Sequence, residues 1–461
     1  MAFIHNILEN LPEVKGPLQK YRPFNEKIKW TLIILLAYFI LGAIPIYGLG
    51  ENALQQFDFL AIILGAQFGS LISLGIGPMV TSSIVLQLLN GSGILKFDTT
   101  THEGRVFFQG VQKLLSIFFV IFEAIIYVFM GGLSPAAGFS PWTIVLQLFV
   151  GGILILYMDE VVSKWGIGSG ISLFIAASVA SQIVISAFSP LTTTGSFAFG
   201  SGEAPVGRIF VLFSALFQGR PIEAILAFSA ILATAVVFFI SVYAQAMKVE
   251  IPLSFGMVRG YGIRWPLKFI YTSNIPVILV AALLANVQLW ASLLERWGKP
   301  FLGTFVGNQP ASGLVLWIFP PNLLENIITG GFSLIQLAHA LSYAGFMILG
   351  AVVFSIFWVQ TSGMDAKSQA RQILASGLQV PGFRKDERVL ETLLNRYIMP
   401  LTVMGAIAVG FLASTADLLG ALSRGTGILL AVMIIYKLYE DIAQQHMADL
   451  NPALRKMMGG Q

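Results

Sequence analysis

The chain has 461 residues, 56% of them hydrophobic and only 11% charged, with a mean hydropathy of +0.80; soluble domains carry roughly a quarter charged residues, so a soluble fold is excluded. The 27 Lys and Arg and 23 Asp and Glu are clustered, leaving uncharged runs at 30–50, 224–247 and 269–294 that are each long enough to cross a hydrocarbon core of about 30 Å. With no Cys, and with His5, His102, His339 and His446 far apart in sequence, disulfides, thiolate chemistry and a His-based metal site drop out, and neither a metal nor a cofactor is expected.

In chain order, an arm carrying Glu9, Glu13, Lys15, Lys20 and Arg22 precedes any apolar run, which reads as a polar cytosolic arm rather than a cleaved signal. Ten spans follow, at about 29–48, 73–92, 106–131, 141–160, 167–188, 222–247, 268–294, 332–360, 397–420 and 425–441. They are apolar all round, unlike the alternating short strands of an outer-membrane barrel. The last is the weakest, with twelve residues between Arg424 and Lys437. Residues 59–95 hold no charge, are too long for one helix, and are interrupted by Gly65, Gly69, Gly75, Gly77 and Pro78. This predicts a short segment, about 52–64, that enters the membrane partway and returns, enclosed by protein; a helix lying on the external surface is the alternative. Residues 206–218 form an amphipathic stretch suited to the interface.

An even number of spans puts both termini on one side. With the termini cytosolic, 22 of the 27 basic residues fall on that side, leaving Arg208, Arg220, Arg296, Lys299 and Arg424 on the other, as the positive-inside rule requires. Five spans on each side of about residue 200 would make homologous halves, 1–200 and 201–461, inverted relative to each other. Two marks agree. Span two has Pro78 then Gln87 and span seven Pro276 then Gln288, while spans five and ten open on Gly166-Ile-Gly168 and Gly425-Thr-Gly427. Such halves enclose a central pathway, and it is poor in charge: Glu123 is the one carboxylate well inside a span, with Asp159, Glu160 and Asp417 at span ends and Asp58 in the doubtful segment.

The stretches Leu74-Gly-Ile-Gly-Pro-Met-Val-Thr-Ser-Ser, Phe108-Gln-Gly-Val-Gln-Lys-Leu-Leu, Asp159-Glu-Val-Val-Ser-Lys-Trp-Gly-Ile-Gly-Ser-Gly-Ile, Tyr271-Thr-Ser-Asn-Ile-Pro-Val-Ile-Leu, Gly382-Phe-Arg-Lys and Gly425-Thr-Gly-Ile-Leu-Leu resemble the SecY family, the large subunit of the protein-conducting channel, in its archaeal branch. The resemblance runs along almost the whole chain. It implies an all-α clamshell of two inverted five-helix halves around an hourglass pore that passes unfolded secretory polypeptides and releases transmembrane segments sideways. An apolar ring at its waist would be Ile76, Val80, Ile171, Ile175, Ile275, Ile278 and Leu430. The i, i+4 spacing of Ile76 with Val80 and of Ile171 with Ile175 independently puts each pair on one helix face. Such a ring dewets, blocks ions and closes around any polypeptide.

The resemblance further implies a plug over about 52–64, including Asn52, Phe57, Asp58 and Leu64, and a lateral gate of spans two, three, seven and eight with a polar cluster of Thr81, Glu123 and Asn286. An ionisable group in a span needs donors, and Thr81 and Asn286 can each supply one; static helix adhesion is the competing role. The loops 248–268 and 361–396 hold ten basic residues. In the family they dock the ribosome, which assigns Arg259, Arg384 and Lys385 to ribosomal RNA phosphates, although the positive-inside rule alone also explains their sign. The implied partners are a SecE/gamma-type single-span subunit, a small beta/G-type subunit, the ribosome, signal sequences and nascent chains. The implied location is the cell membrane, or the endoplasmic reticulum membrane for a eukaryotic chain. An inverted-repeat secondary transporter is the alternative, disfavoured by the uncharged midplane. An intramembrane enzyme lacks a Ser/His or paired-Asp constellation.

Overall fold

Long runs of Leu, Ile, Val, Ala and Phe leave backbone polar groups no partner in an apolar medium except those of their own helix, and the molecule is accordingly built of helices. The computed structural model describes residues 11–17, 22–52, 64–91, 94–95, 97, 102–192, 196–198, 204–255, 262–272, 275–306, 309–375, 378–379, 386–422 and 425–450.

The helices are α1 (Phe24–Ala43), α2 (Gly77–Gly91), α3 (His102–Phe129), α4 (Pro141–Trp165), α5 (Gly170–Phe188), α6 (Arg208–Phe217), α7 (Pro221–Ala246), α8 (Ile275–Arg296), α9 (Leu314–Trp317), α10 (Leu323–Ile328), α11 (Leu334–Thr361), α12 (Ala366–Ala375), α13 (Glu387–Leu418) and α14 (Gly425–Leu450). Among the described residues, seven of these are long and apolar enough to cross a membrane: α3, α4, α5, α7, α8, α11 and α13. The other three predicted spans fall on α1, α2 and α14. α1 draws Glu26, Lys27 and Lys29 into its first turns. α2 has 15 residues, about 22 Å of helix, because the chain runs in turns from Leu64 to Ile76 before it coils. α14 continues through Lys437, Glu440 and Asp441 to Leu450, so the tenth predicted span is the apolar first part of a 26-residue helix.

Proline placement follows the helix starts. Pro78 and Pro276 are each the second residue of their helix, and Pro141 and Pro221 the first, where the missing N–H costs nothing. The amphipathic stretch predicted at 206–218 is α6, with Phe213, Leu216 and Phe217 exposed and only Ala215 buried.

Strands are short and lie between the helices. β1 (Leu49–Asn52) pairs antiparallel with β2 (Leu133–Pro135), and β5 (Phe305–Val306) with β6 (Gln309–Pro310). β3 (Lys248–Phe255) and β4 (Gly262–Lys268) form a hairpin in register from Lys248↔Lys268 to Ser254↔Gly262. β7 (Leu378–Gln379) adds to β3 through Ser254↔Gln379. The two basic loops are therefore one three-stranded sheet, in the order β4-β3-β7.

In the first half α2 packs on α3, α3 on α4, and α1 on α4; in the second, α11 packs on α13, α8 on α11, and α7 on α14. The halves meet along two seams, α5 against α14 and α2 against α8 and α11. The main core fills the space between the seams. A second cluster joins α3, α4 and α8, and a third packs the basic-loop sheet and α12 onto α13.

Candidate functional site

The residues expected to form the apolar ring stand at helix starts. Ile76 is the last residue before α2, and its N–H donates to the Leu64 carbonyl at 2.7 Å. Gly75 makes that turn possible: its φ is +55° and a Cβ there would collide with the Leu64 carbonyl and with Ala66. One turn into α2 stands Val80, whose N–H donates to the Ile76 carbonyl at 3.0 Å. Ile171 and Ile175 occupy the first two turns of α5, Ile275 and Ile278 the first turn of α8, and Leu430 the second turn of α14. All seven belong to one apolar cluster: Ile76, Val80, Ile175, Ile278 and Leu430 are buried members, with Ile171 and Ile275 packed against it. Residues up to 354 positions apart in sequence thus share the apolar core that spans both halves of the chain. Leu64, fully buried, is in the same cluster.

Beside the waist, on the seam of α2, α3 and α8, is the predicted polar cluster. The Thr81 hydroxyl donates to Glu123 Oε1 at 3.0 Å and approaches the Gly77 carbonyl at 2.9 Å, while Asn286 Nδ2 donates to Thr81 Oγ1 at 3.1 Å. The arrangement differs from the expected pair of donors on the carboxylate. It is a relay, Asn286 to Thr81 to Glu123, because the Thr81 hydroxyl both donates and accepts. All three side chains are buried. Glu123 Oε2 and the Tyr127 hydroxyl, one helical turn apart on α3, are buried without a hydrogen-bond partner among the described residues. A Ser82–Ser116 hydroxyl pair at 2.6 Å ties α2 to α3 nearby.

The remaining predicted residues divide between described and undescribed parts of the chain. Asn52 ends strand β1, and its Nδ2 donates to the Phe68 carbonyl at 3.0 Å, so the strand holds the start of the segment read as a plug. Phe57, Asp58, Arg259, Arg384 and Lys385 lie outside the described residues. Around the last three, the basic-loop sheet and an Arg371–Glu387 ion pair of 2.7 Å, between α12 and α13, are described.

Two features escape sequence reasoning. Asp417 looked like a span-end carboxylate, yet it is only 3% exposed. It accepts from the Tyr343 hydroxyl at 2.6 Å, from the Thr426 N–H at 2.8 Å and from the Thr426 hydroxyl. The second is a strap formed by residues 12–15, with Arg22, across α3 and α4. Lys113 Nζ donates to the Pro12 carbonyl at 2.7 Å, Lys164 Nζ to the Val14 carbonyl at 2.6 Å, and Trp165 Nε1 to the Lys15 carbonyl at 2.9 Å. The Val14 N–H donates to Glu160 at 2.9 Å, Lys164 pairs with Glu13, Lys113 pairs with Glu160, and Arg22 lies 3.8 Å over the Trp165 ring. Hydrogen bonding by Lys164 holds the Glu13 carboxyl below the usual carboxylate range. These bonds go mostly to main-chain atoms, which leave no trace in residue type.

A SecY family model matches residues 70–439. A protein translocase subunit SecY of Methanothermobacter thermautotrophicus is 46% identical over 454 residues, 97% of each chain, and that of Methanocaldococcus jannaschii is 43% identical over 98% of each. Among solved structures, one described as a protein-conducting channel superposes with a TM-score of 0.83 at 42% identity, covering 97% of this chain and 98% of that one. Sec61 in a canine ribosome-channel complex from the endoplasmic reticulum superposes with a TM-score of 0.80 at 41% identity, again covering 97% and 98%. Similarity of that extent, over a fold whose waist and seam were assembled from the same motifs, establishes that the chain belongs to the SecY family.

Proposed function

We propose that the chain is the pore-forming subunit of a protein-conducting channel, passing unfolded polypeptides through the apolar waist and releasing apolar segments sideways between α2/α3 and α8/α11. The observation that carries this reading is that Ile76, Val80, Ile171, Ile175, Ile275, Ile278 and Leu430, from the starts of four helices and both halves, all lie in the one apolar core between the seams. A constriction of aliphatic side chains excludes water and ions at rest, and has no fixed chemistry with which to select among passing side chains. A secondary transporter would need polar or charged groups there.

In this reading α1–α5 with α7, α8, α11, α13 and α14 are the ten membrane helices, in halves 1–200 and 201–461, with both termini cytoplasmic and the protein in the cell membrane. The segment 52–64 is the plug, anchored at one end by Asn52 in β1 and at the other by Leu64, which is packed in the waist cluster. The Asn286–Thr81–Glu123 relay bridges the two sides of the lateral gate and helps keep it closed until a signal sequence replaces helix contacts with its own. The sheet formed by loops 248–268 and 361–396 presents Arg259, Arg384 and Lys385 to ribosomal RNA, in keeping with the ribosome-bound state of a similar channel. A SecE/gamma-type subunit and a small beta/G-type subunit complete the complex, and the chain itself catalyses no reaction.

The test is reconstitution. The tagged chain, purified from its membrane, is expected to bring a small single-span subunit and to bind ribosomes in a salt-dependent manner. In proteoliposomes, ribosomes carrying nascent secretory chains are expected to deliver them to the lumen. A purified complex that binds no ribosomes and moves small solutes but no polypeptide would overturn the proposal.

A further inference from the structure

The carboxylates of Asp159 and Asp417 are used alike, once in each half and at opposite ends of the bundle. Asp159, on α4, accepts from the Ile171 N–H at 2.9 Å, in the first turn of α5. Asp417, at the end of α13, accepts from the Thr426 N–H at 2.8 Å, in the first turn of α14. Each carboxylate comes from the helix preceding the one it caps, and at α5 the Ncap residue Ser169 makes no side-chain cap hydrogen bond of its own. Both carboxylates therefore satisfy orphan N–H groups and sit at the positive end of a helix dipole.

The capped helices are the two that form the α5/α14 seam of the waist. The Ile171 N–H held by Asp159 belongs to a residue of the apolar ring itself, and Ile175 follows one turn later. Leu430 lies one turn beyond Thr426. The approach at α5 is close: a Cβ on Gly170 would lie 2.6 Å from Asp159 Cα, so only glycine lets the carboxylate reach. At α14 the Tyr343 hydroxyl of α11 adds a second anchor to Asp417.

We infer that Asp159 and Asp417 are twin positioning residues that set the axial height of the ring side chains on α5 and α14, and so determine how tightly the resting waist seals. This rests on the assignment of the ring as the pore constriction. A slip of one residue moves a helix by about 1.5 Å, enough to take Ile171, Ile175 or Leu430 out of the level at which the ring closes. Asp159 and Asp417 touch no passing chain; they act through the helices they hold.

The experiment measures ion conductance per channel of the purified complex in planar bilayers, with no ribosome or cargo present. Ile175→Ser serves as the control for the ring. Its conductance is expected to exceed that of the parent, and a parent-like value would overturn the ring assignment itself. Given a leaky Ile175→Ser channel, Asp159→Ala and Asp417→Ala are expected to raise resting conductance roughly fivefold, the equilibrium shift that loss of one helix cap produces. Asp159→Asn and Asp417→Asn, which retain a capping oxygen, are expected to stay close to the parent. A resting conductance in both Ala variants equal to the parent's, with Ile175→Ser leaking, overturns the inference. Should an Ala variant not accumulate, Thr426→Val removes one donor to Asp417 while conserving shape. A raised conductance in Thr426→Val supports the inference and an unchanged one contradicts it.

Discussion

Thr81 is the centre of the gate relay, since its hydroxyl donates to Glu123 and accepts from Asn286. Thr81→Val conserves shape and removes both bonds. Interhelical hydrogen bonds in membranes are worth about 0.6 kcal/mol on average and at most about 2 kcal/mol, so the gate should open more readily by a factor of roughly 3 to 30. Cargo with a shortened or interrupted signal sequence is expected to cross Thr81→Val channels several-fold faster than parent channels while full-strength cargo crosses equally well. An unchanged preference would assign the relay to static helix adhesion. Gly75→Ala is expected to lower the thermal midpoint of the purified complex, because a positive φ and the nearby Leu64 carbonyl leave no room for a methyl; such strain costs about 1–3 kcal/mol. A midpoint equal to the parent's would show that the 64–76 turns yield freely. Glu123 was legible as the lone carboxylate inside an apolar span, and the resemblance to the family supplied Thr81 and Asn286 as its companions. The order of the relay was not legible, because a hydroxyl can face either way. Asp417 was placed correctly at a span end, but its bonds to Tyr343 and Thr426 were not legible, because they depend on how α11 and α14 pack against the end of α13, a tertiary fact.

At the scale of elements, the strap of residues 12–15 with Arg22 ties α3 to α4 through Lys113, Glu160, Lys164 and Trp165. Glu13 contributes through its pairing with Lys164, which lowers its carboxyl pKa from the ordinary 4.5. A group lowered on folding adds stability that is full above its unfolded value and is lost as pH falls through the folded one. The strap's grip should thus be constant from neutral pH to about pH 5 and weaken only below about 4.5. The effect is small, because Glu13 is largely exposed and solvent screens the pair. Glu160, Lys113 and Lys164 hold the strap besides. Labelling rates of a single thiol at Val14→Cys, in a chain with no other Cys, report the grip. They are expected to rise on acidification in the parent and not in Glu13→Gln; identical pH profiles would remove Glu13 from the grip. Helix positions were legible because apolar runs bounded by charge have a fixed reach in a membrane. The strands were not: β1 with β2, and β3 with β7, pair across 80 residues or more, beyond any local pattern. The extension of α14 past Lys437 was missed because charge marks the edge of a membrane, and a helix can continue beyond it into water.

For the whole molecule, two bundles meeting on two seams give a pathway between them that can widen by parting one seam while the other hinges. The α5/α14 seam carries the carboxylates of Asp159 and Asp417 at its helix starts, whereas the seam of α2 with α8 and α11 is crossed by the Asn286–Thr81 bond. In the proposed function the second is the one that parts. The marks that suggested inverted halves, Pro78 with Pro276 and the paired glycines of spans five and ten, fall at the starts of α2, α8, α5 and α14. What one chain cannot display in sequence is that residues as distant as Ile76 and Leu430 share one apolar core; their convergence on one constriction is the proposal. The most direct test of that convergence is a nascent secretory chain stalled in the channel with one Cys at its midpoint, cross-linked to single Cys substitutions of the otherwise Cys-free protein. Cross-links are expected at Val80→Cys, Ile175→Cys, Ile278→Cys and Leu430→Cys and absent at the outward-facing Leu36→Cys and Phe239→Cys. Cross-links at the outward positions with none at the four ring positions would contradict the account.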